Sequence, residues 1–590
     1  MKKKNDESMG NVSEGDSTVS RRKFFGKLGT AAIGAAAIGA AAPFVGGKES
    51  VVEASNGTSD ASGRMNDCFN YRKNRAIAMR VDVGPQAGNG DEARFTDFSG
   101  NYSKALVHTS LGIPSAASYL SLKNAFVSGR HSDFNNILMG TPGGGGFSKL
   151  NGPQGALAFD LEGLDSHMTV IPPAPSVASA HTAAEQVEHY WGSLLADVPF
   201  NEYATNSLVG QAVADMNNMS YLSSPQNTMF PAPVTRQNLF RGQFVAGDGN
   251  VLGPYMSQFM VQPAYYGSQF LTQQHRTYLP VGGGGTNYMT DVSEYQLIAN
   301  GGESGRLLAY DPVPRYLRTG RDLAAYTRVD VLYQGYFVAF LVLAGLGAGP
   351  NPGNPYIGSH SQKAFGTLGG PDAAATIGEM ATRALKAAWF HKWIKDNRMR
   401  PEEYGALVHA RKTNASPMPQ AAAALHADVL NSAAVSETFS RYGTYLLPQA
   451  FPEGSPTHPC YPTGHGTVGG ACTTLLKFFF NGAQKIKPLL LNAGRDVYEP
   501  SSDCLSLNPY GGADAANMDI NGELNKLAYN VTFGHGIHAG IHFRSSSYWS
   551  ILLGEQVALS VLQDRAKSYN EPFSISIKKF DGTTATITNQ

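Results

Sequence analysis

The chain has 590 residues and equal numbers of basic and acidic side chains, 46 of each. That balance, with no basic block and no acidic tail, argues against nucleic acid or anionic membrane surfaces as partners. Only 16% of residues are charged, while Gly (66) and Pro (33) are plentiful, so a large globular body with much ordered loop is expected rather than a disordered chain.

The N-terminus reads as an address. Ser20-Arg21-Arg22-Lys23-Phe24-Phe25 is a twin-arginine signal, and an Ala/Gly-rich segment follows at 28–45. That segment is almost long enough to span a bilayer, but it is weakly apolar, and Val52-Glu53-Ala54 offers a small-residue cleavage site. Residues 1–54 are therefore expected to be a cleaved export signal. Residues 55–590 are then one domain, periplasmic or extracellular, without a stable membrane anchor. Cys68, Cys460, Cys472 and Cys504 remain; export permits disulfides, but four cysteines allow three pairings, and no CxxC supports a thiolate metal site.

Residues 55 to about 175 read as loops and short elements. From Ser179, Ala183, Val187, Tyr190, Trp191, Leu194 and Leu195 keep helical spacing. On that helix His181, Glu185, Glu188 and His189 resemble a carboxylate–histidine metal face. No matching motif occurs on further helices, so a solvated face is expected. The glycine tracts 143–146 and 282–285 lack the Gly-Lys-Ser/Thr ending of a phosphate loop and are expected to be flexible turns. Helical patterns return at about 327–347, 372–397, 419–446, 466–481, 517–534 and 545–568. Strand-like runs at 573–579 and 583–588 flank Asp581-Gly582. The expected fold is mainly α, with long ordered loops and a small C-terminal β-hairpin.

Three stretches carry chemistry. In Tyr461-Pro-Thr-Gly-His465-Gly-Thr, a Pro/Gly turn delivers a histidine to a helix start, where unpaired N–H groups and the helix dipole favour an anion. Lys392 and Arg400 lie at the end of the preceding long helix, which Pro401 forces to stop, and could grip a tetrahedral oxyanion. His535, His538 and His542 share one helical stripe at i, i+3 and i+7, which suits anion contact or metal ligation.

With these motifs the chain resembles the vanadium-dependent haloperoxidases of the bromoperoxidase type, within the type 2 phosphatidic-acid-phosphatase/haloperoxidase superfamily. Family-like stretches include 152–167, Phe240-Arg-Gly, Asn351-Pro-Gly-Asn-Pro-Tyr356 and Ser455-Pro-Thr-His-Pro-Cys-Tyr-Pro-Thr-Gly-His465. The resemblance implies a helical bundle of the acid phosphatase/haloperoxidase type and a homo-oligomer, with motifs in 389–401, 458–467 and 535–546. It implies vanadate as cofactor, with hydrogen peroxide, a halide (bromide or iodide) and a small organic acceptor as partners. Matched by position, Lys392 and Arg400 are the cations of the first motif, with Trp389 one turn before Lys392. Thr463 and Gly464 bond vanadate oxygens, His465 is the acid–base histidine, His458 lies near peroxide and halide, and His542 ligates vanadium.

The pattern is broken at three positions. Thr463 replaces a serine. The arginine expected six residues before His542 is Gly536, and the carboxylate expected four residues after it is Ser546. A one-residue bulge would bring His535 to the arginine's place; otherwise His538 would turn inward. The alternative is a divergent member without haloperoxidase activity. It would use the His535/His538/His542 stripe for a divalent metal or cofactor-free acid–base chemistry, or His542 as a phosphatase nucleophile.

Overall fold

A computed structural model describes residues 61–78, 86–140, 148–245 and 251–589. The export signal, its cleavage site and the 143–146 glycine tract lie outside these residues. The fold is mainly helical, and its strands form two-stranded antiparallel sheets. One of these is the C-terminal hairpin, in which Ser574–Lys578 pairs with Thr584–Thr588. Among the described residues, no helix is long and apolar enough to cross a membrane.

Two helices form the centre, Gly464–Phe479 and Arg544–Ala566. Nearly every residue of the first is buried, and its apolar residues face all sides, as expected of a helix inside a core. Glycine lets the two approach. A Cβ at Gly470 would stand 1.9 Å from the Ile551 carbonyl oxygen, and one at Gly554 would stand 2.0 Å from that of Thr467. The long helix Gly370–Phe390 packs beside them, burying Ile377, Met380, Ala381, Ala384 and Ala388.

Several expected elements are redrawn. The 61–175 region holds real helices, Ala61–Ala78 and Ala116–Ser128. The 419–446 pattern is three short helices, because His426 and Ser432 each cap a new start. The 327–347 pattern divides between Gly320–Arg328, which carries a Thr319/Asp322 capping box, and Gln334–Gly345. The 282–285 tract is a tight turn in which Gly283 and Gly285 both donate to the Pro280 carbonyl.

The helix Ala180–Leu194 starts at Ser179, whose side chain accepts from Thr182 N. Its polar face is not solvated: Glu185, Glu188 and His189 are fully buried. Glu185 pairs with Arg398 at 2.8 Å, and Glu188 pairs with Arg544. Buried carboxylates persist here because each meets a guanidinium, and Glu185 also accepts from Ser545 N.

Candidate functional site

The first wall comes from the end of Gly370–Phe390. That helix continues as a π-helical turn, His391–Asp396, and stops at Asn397 in the left-handed conformation. Arg400 is extended and precedes the helix Pro401–Thr413; its N–H donates to Glu403 Oε2 at 2.7 Å. The π turn and this cap aim Lys392 and Arg400 at the same place. Lys392 Nζ donates to the Pro459 and Cys460 carbonyls, at 2.7 and 3.2 Å. Arg400 donates from Nε to the His458 carbonyl (2.7 Å) and from Nη1 to the Ile541 carbonyl (2.8 Å). Its Nη1 also lies 3.1 Å from His542 Nε2, and its Nη2 lies 2.7 Å from His458 Nδ1.

Both cations are fully buried, and among the described residues neither has a carboxylate within ion-pair distance. Burial, and then the nearby Arg400, holds the Lys392 ammonium well below its ordinary range, and burial likewise lowers Arg400.

The second wall is 458–465. Thr463 caps Gly464–Phe479, accepting from Gly466 N at 3.0 Å, and its own N–H donates to Ser546 O. The first amides of that helix precede any intrahelical acceptor, and the Thr463 side chain meets that of Gly466. His465 Nε2 lies 3.0 Å from Asp330 Oδ1. Because the carboxylate can only accept, Nε2 carries the proton and Nδ1 is left as the basic atom. Trp389 is half-buried, stands 4.9 Å from the His458 ring, and is held by its Nε1–H donating to the Asn151 carbonyl.

The third wall corrects the helical-stripe expectation. A π-helical turn at Asn530–Gly534 leads into a single turn, His535–His538. Gly540, at φ +75°, then reverses the chain, and His542 sits just before the start of Arg544–Ala566. The three histidines therefore do not share a face. His538 points away: its Nδ1 lies 3.1 Å from the Gly192 carbonyl, and its ring packs on Phe240. His535 points in, 4.3 Å from the His465 ring and 6.2 Å from that of His542.

Two tautomers can be assigned. His542 Nδ1 lies 2.8 Å from the Cys460 carbonyl and so donates, which leaves Nε2 unprotonated beside Arg400. The Thr327 hydroxyl donates its one proton to the Leu323 carbonyl and so accepts from His535 Nδ1, which frees His535 Nε2. Burial, followed by neighbouring positive or ionisable groups, holds His458, His535 and His542 well below the ordinary histidine range.

The departures at Gly536 and Ser546 have local explanations. A Cβ at Gly536 would meet His542 Cβ at 3.0 Å and the His542 carbonyl at 3.1 Å. The Gly536 carbonyl also accepts from the Ile541 and His542 amides. Ser546 Oγ lies 3.4 Å from Cys460 Sγ and accepts from Arg398 Nη1 at 3.3 Å. The orienting partner of His542 is thus a main-chain carbonyl rather than a carboxylate.

Asp330, the Cys460 carbonyl and the Arg398–Glu185 pair escape sequence reasoning. Asp330 sits between two helices with no motif around it, and a carbonyl partner leaves no trace in residue type. All four cysteines are unpaired, with Cys460 and Cys472 buried. Among the described residues, no group of three or more His, Cys, Asp or Glu side chains is arranged to hold a metal ion.

Two buried cations without carboxylate partners among the described residues, a helix start, a hydroxyl and an imidazole with an unprotonated Nε2 form a set that fits a bound oxyanion. A mainly helical peroxidase is the class this fold and its relatives define. The chain is 31% identical over 485 residues to the vanadium-dependent bromoperoxidase of Corallina pilulifera, covering 73% of this chain and 78% of that protein. It is 31% identical over 539 residues to that of Ascophyllum nodosum, covering 87% and 92%. The second vanadate-dependent bromoperoxidase of Ascophyllum nodosum, a homohexamer, superposes with a TM-score of 0.79 at 26% identity over 95% of both chains. No family model matches the chain. The chain belongs to the vanadium-dependent bromoperoxidase family and is a peroxidase of the haloperoxidase class.

Proposed function

We propose that the protein binds vanadate between Lys392, Arg400, Gly464 and His542 and uses hydrogen peroxide to oxidise bromide or iodide to hypohalous acid. The observation that carries this is the pair of buried cations with no carboxylate partner among the described residues, of which Arg400 lies 3.1 Å from His542 Nε2. Vanadate, when bound, supplies a Lewis-acidic centre that activates peroxide toward halide.

The chain's own residues do the rest. Lys392, as a point charge, and Arg400, through its fork, hold the oxyanion together with the Thr463 hydroxyl and the Gly464 N–H. His542 presents Nε2 as the ligating atom because the Cys460 carbonyl holds the proton on Nδ1. His465 accepts the peroxide proton at Nδ1, with Asp330 steadying the resulting imidazolium through Nε2–H. His535 replaces the missing arginine as a donor or acceptor of variable charge. His458 and Trp389 line the side where the halide approaches.

The twin-arginine segment supports export to the periplasm or beyond, and the homohexameric neighbour supports a homo-oligomer. The test is reconstitution: the mature chain with orthovanadate, bromide and peroxide, assayed by bromination of a phenolic indicator. Vanadate-dependent turnover is expected. Turnover equal with and without vanadate, or none at all, overturns the reading.

A further inference from the structure

A second cavity, of about 520 Å³, shares no residue with the oxyanion site. Phe200, Tyr203, Met256, Leu317 and Pro500 give it apolar walls, and Arg236 and Arg241 line it as well. Small-molecule sites typically measure about 300–1,000 Å³ and carry a few placed polar groups, so the space suits a compact organic ligand. Stacking orders its inner wall. The Phe200 ring lies 3.8 Å from that of Tyr255 at an interplanar angle of 7°, and the Arg241 guanidinium carbon stands 4.2 Å from the Tyr255 ring centre. Behind this wall is His538, the histidine that points away from the oxyanion site, with its ring 5.9 Å from that of Phe200.

Tyr203 is 3% exposed, and its hydroxyl has no hydrogen-bond partner among the described residues. Buried tyrosine hydroxyls ordinarily have one, so this hydroxyl is a donor available to a ligand. Burial holds the phenol well above its ordinary range, so it keeps its proton. The buried Arg241 is close enough to Tyr203 for each to bear on the other's ionisation, and its Nε donates to the Gln237 carbonyl at 2.9 Å. Arg236 donates through Nη1 to the Tyr203 and Asn206 carbonyls. The cavity's other charges are Arg318, Glu499 and Asp514. Arg318 pairs with Glu202 at 3.0 Å, and Asp514 accepts from the Gly253 N–H at 2.7 Å. Burial raises Glu499 and so favours its neutral form. Three arginines against two carboxyl groups leave the lining net positive.

We infer that this cavity binds a small organic monoanion, a carboxylate on a compact apolar body, with the Tyr203 hydroxyl and the Arg241 and Arg236 guanidiniums as its donors. A carboxylate accepts from both kinds of donor, and its plane matches the guanidinium fork. The apolar walls take up the rest of the ligand, a gain that an inorganic anion cannot make. Glu499 and Asp514 disfavour a second negative charge. The site is independent of halide oxidation, because none of its groups is among those proposed to hold vanadate or peroxide.

The test is calorimetric titration of the full-length mature chain with benzoate, in the presence and absence of excess orthovanadate. One benzoate is expected to bind per chain, with the same affinity in both conditions. Benzamide, which keeps the ring without the charge, and acetate, which keeps the charge without the ring, should each bind at least about tenfold more weakly. Tyr203→Phe removes only the hydroxyl and should lower benzoate affinity by about tenfold, the scale of a hydrogen bond to a charged group. Arg236→Gln should weaken it to a similar extent. No benzoate binding by wild type, or benzamide bound as tightly as benzoate, overturns the site. Displacement of benzoate by orthovanadate also overturns it, because the carboxylate then occupies the oxyanion site. Unchanged benzoate affinity in both variants overturns it as well.

Discussion

The imidazole of His535 stands 4.3 Å from that of His465, ring centre to ring centre, with 44° between the planes. The π-helical turn just before it, Asn530–Gly534, inserts the extra residue that rotates His535 inward. A neutral, titratable ring thereby reaches the site from the residue next to Gly536, the position at which the sequence resemblance implies an arginine.

Vanadate affinity should therefore depend on pH. Burial holds His535 well below the ordinary histidine range, so the free protein carries no proton there near neutrality. A bound anion favours the protonated form, so binding takes up a proton, and by linkage affinity falls as pH rises. Equilibrium dialysis between about pH 5 and 8 should show this slope. In His535→Arg, whose charge is permanent, the slope should flatten. A pH-independent wild-type affinity, with the protein folded throughout, would sink the idea.

Asp330→Asn should leave vanadate binding intact but slow halide oxidation. The amide keeps a contact to His465 Nε2 without stabilising its imidazolium. A loss of about 10- to 100-fold in kcat is expected, the scale for removing an orienting partner. The pH–rate profile should shift as well. Steady-state kinetics beside dialysis separates the two effects; a parallel loss of vanadate affinity would make Asp330 structural instead.

Gly536→Ala should fail locally. Its Cβ would press on His542 Cβ at 3.0 Å. Overpacking of this kind costs about 1–3 kcal/mol, and part of it should appear as displacement of His542. Denaturant unfolding and vanadate titration of the variant should both weaken. For the same reason Gly536→Arg should not restore the family arrangement.

The buried ion pairs should be costly to break from one side. Glu188→Gln leaves Arg544 buried without its carboxylate, and about 3–5 kcal/mol of stability is expected to go. A melting temperature within error of wild type would contradict this account of the polar face of Ala180–Leu194.

Stability should fall on acidification. Burial depresses His391, His458, His535 and His542 well below 6.5, and His189 and His538 to about 4. The unfolded chain binds these protons below about pH 6.5 and the folded chain does not. The stability they contribute is thus complete above that pH and lost as pH falls toward the folded values. Asp396 and Glu403, raised to about 7, act in the opposite sense, but the depressed histidines outnumber them. Urea midpoints at pH 7.5 and 5 check the net direction.

By itself the sequence determined the helical class, the C-terminal hairpin and the cap at Ser179. Helical periodicity, caps and Pro/Gly turns are local, and Lys392, Arg400 and His465 are tied to such signals. Only the tertiary structure decided which histidine faces inward. A regular helix would have aligned His535, His538 and His542, but a π turn and the left-handed Gly540 rotate them apart. Both are set by packing, with Gly536 pressed on His542 and His538 held at Gly192. The same holds for the buried face of Glu185 and Glu188, whose partners Arg398 and Arg544 lie more than two hundred residues away, and for Asp330, which only the folded chain brings to His465.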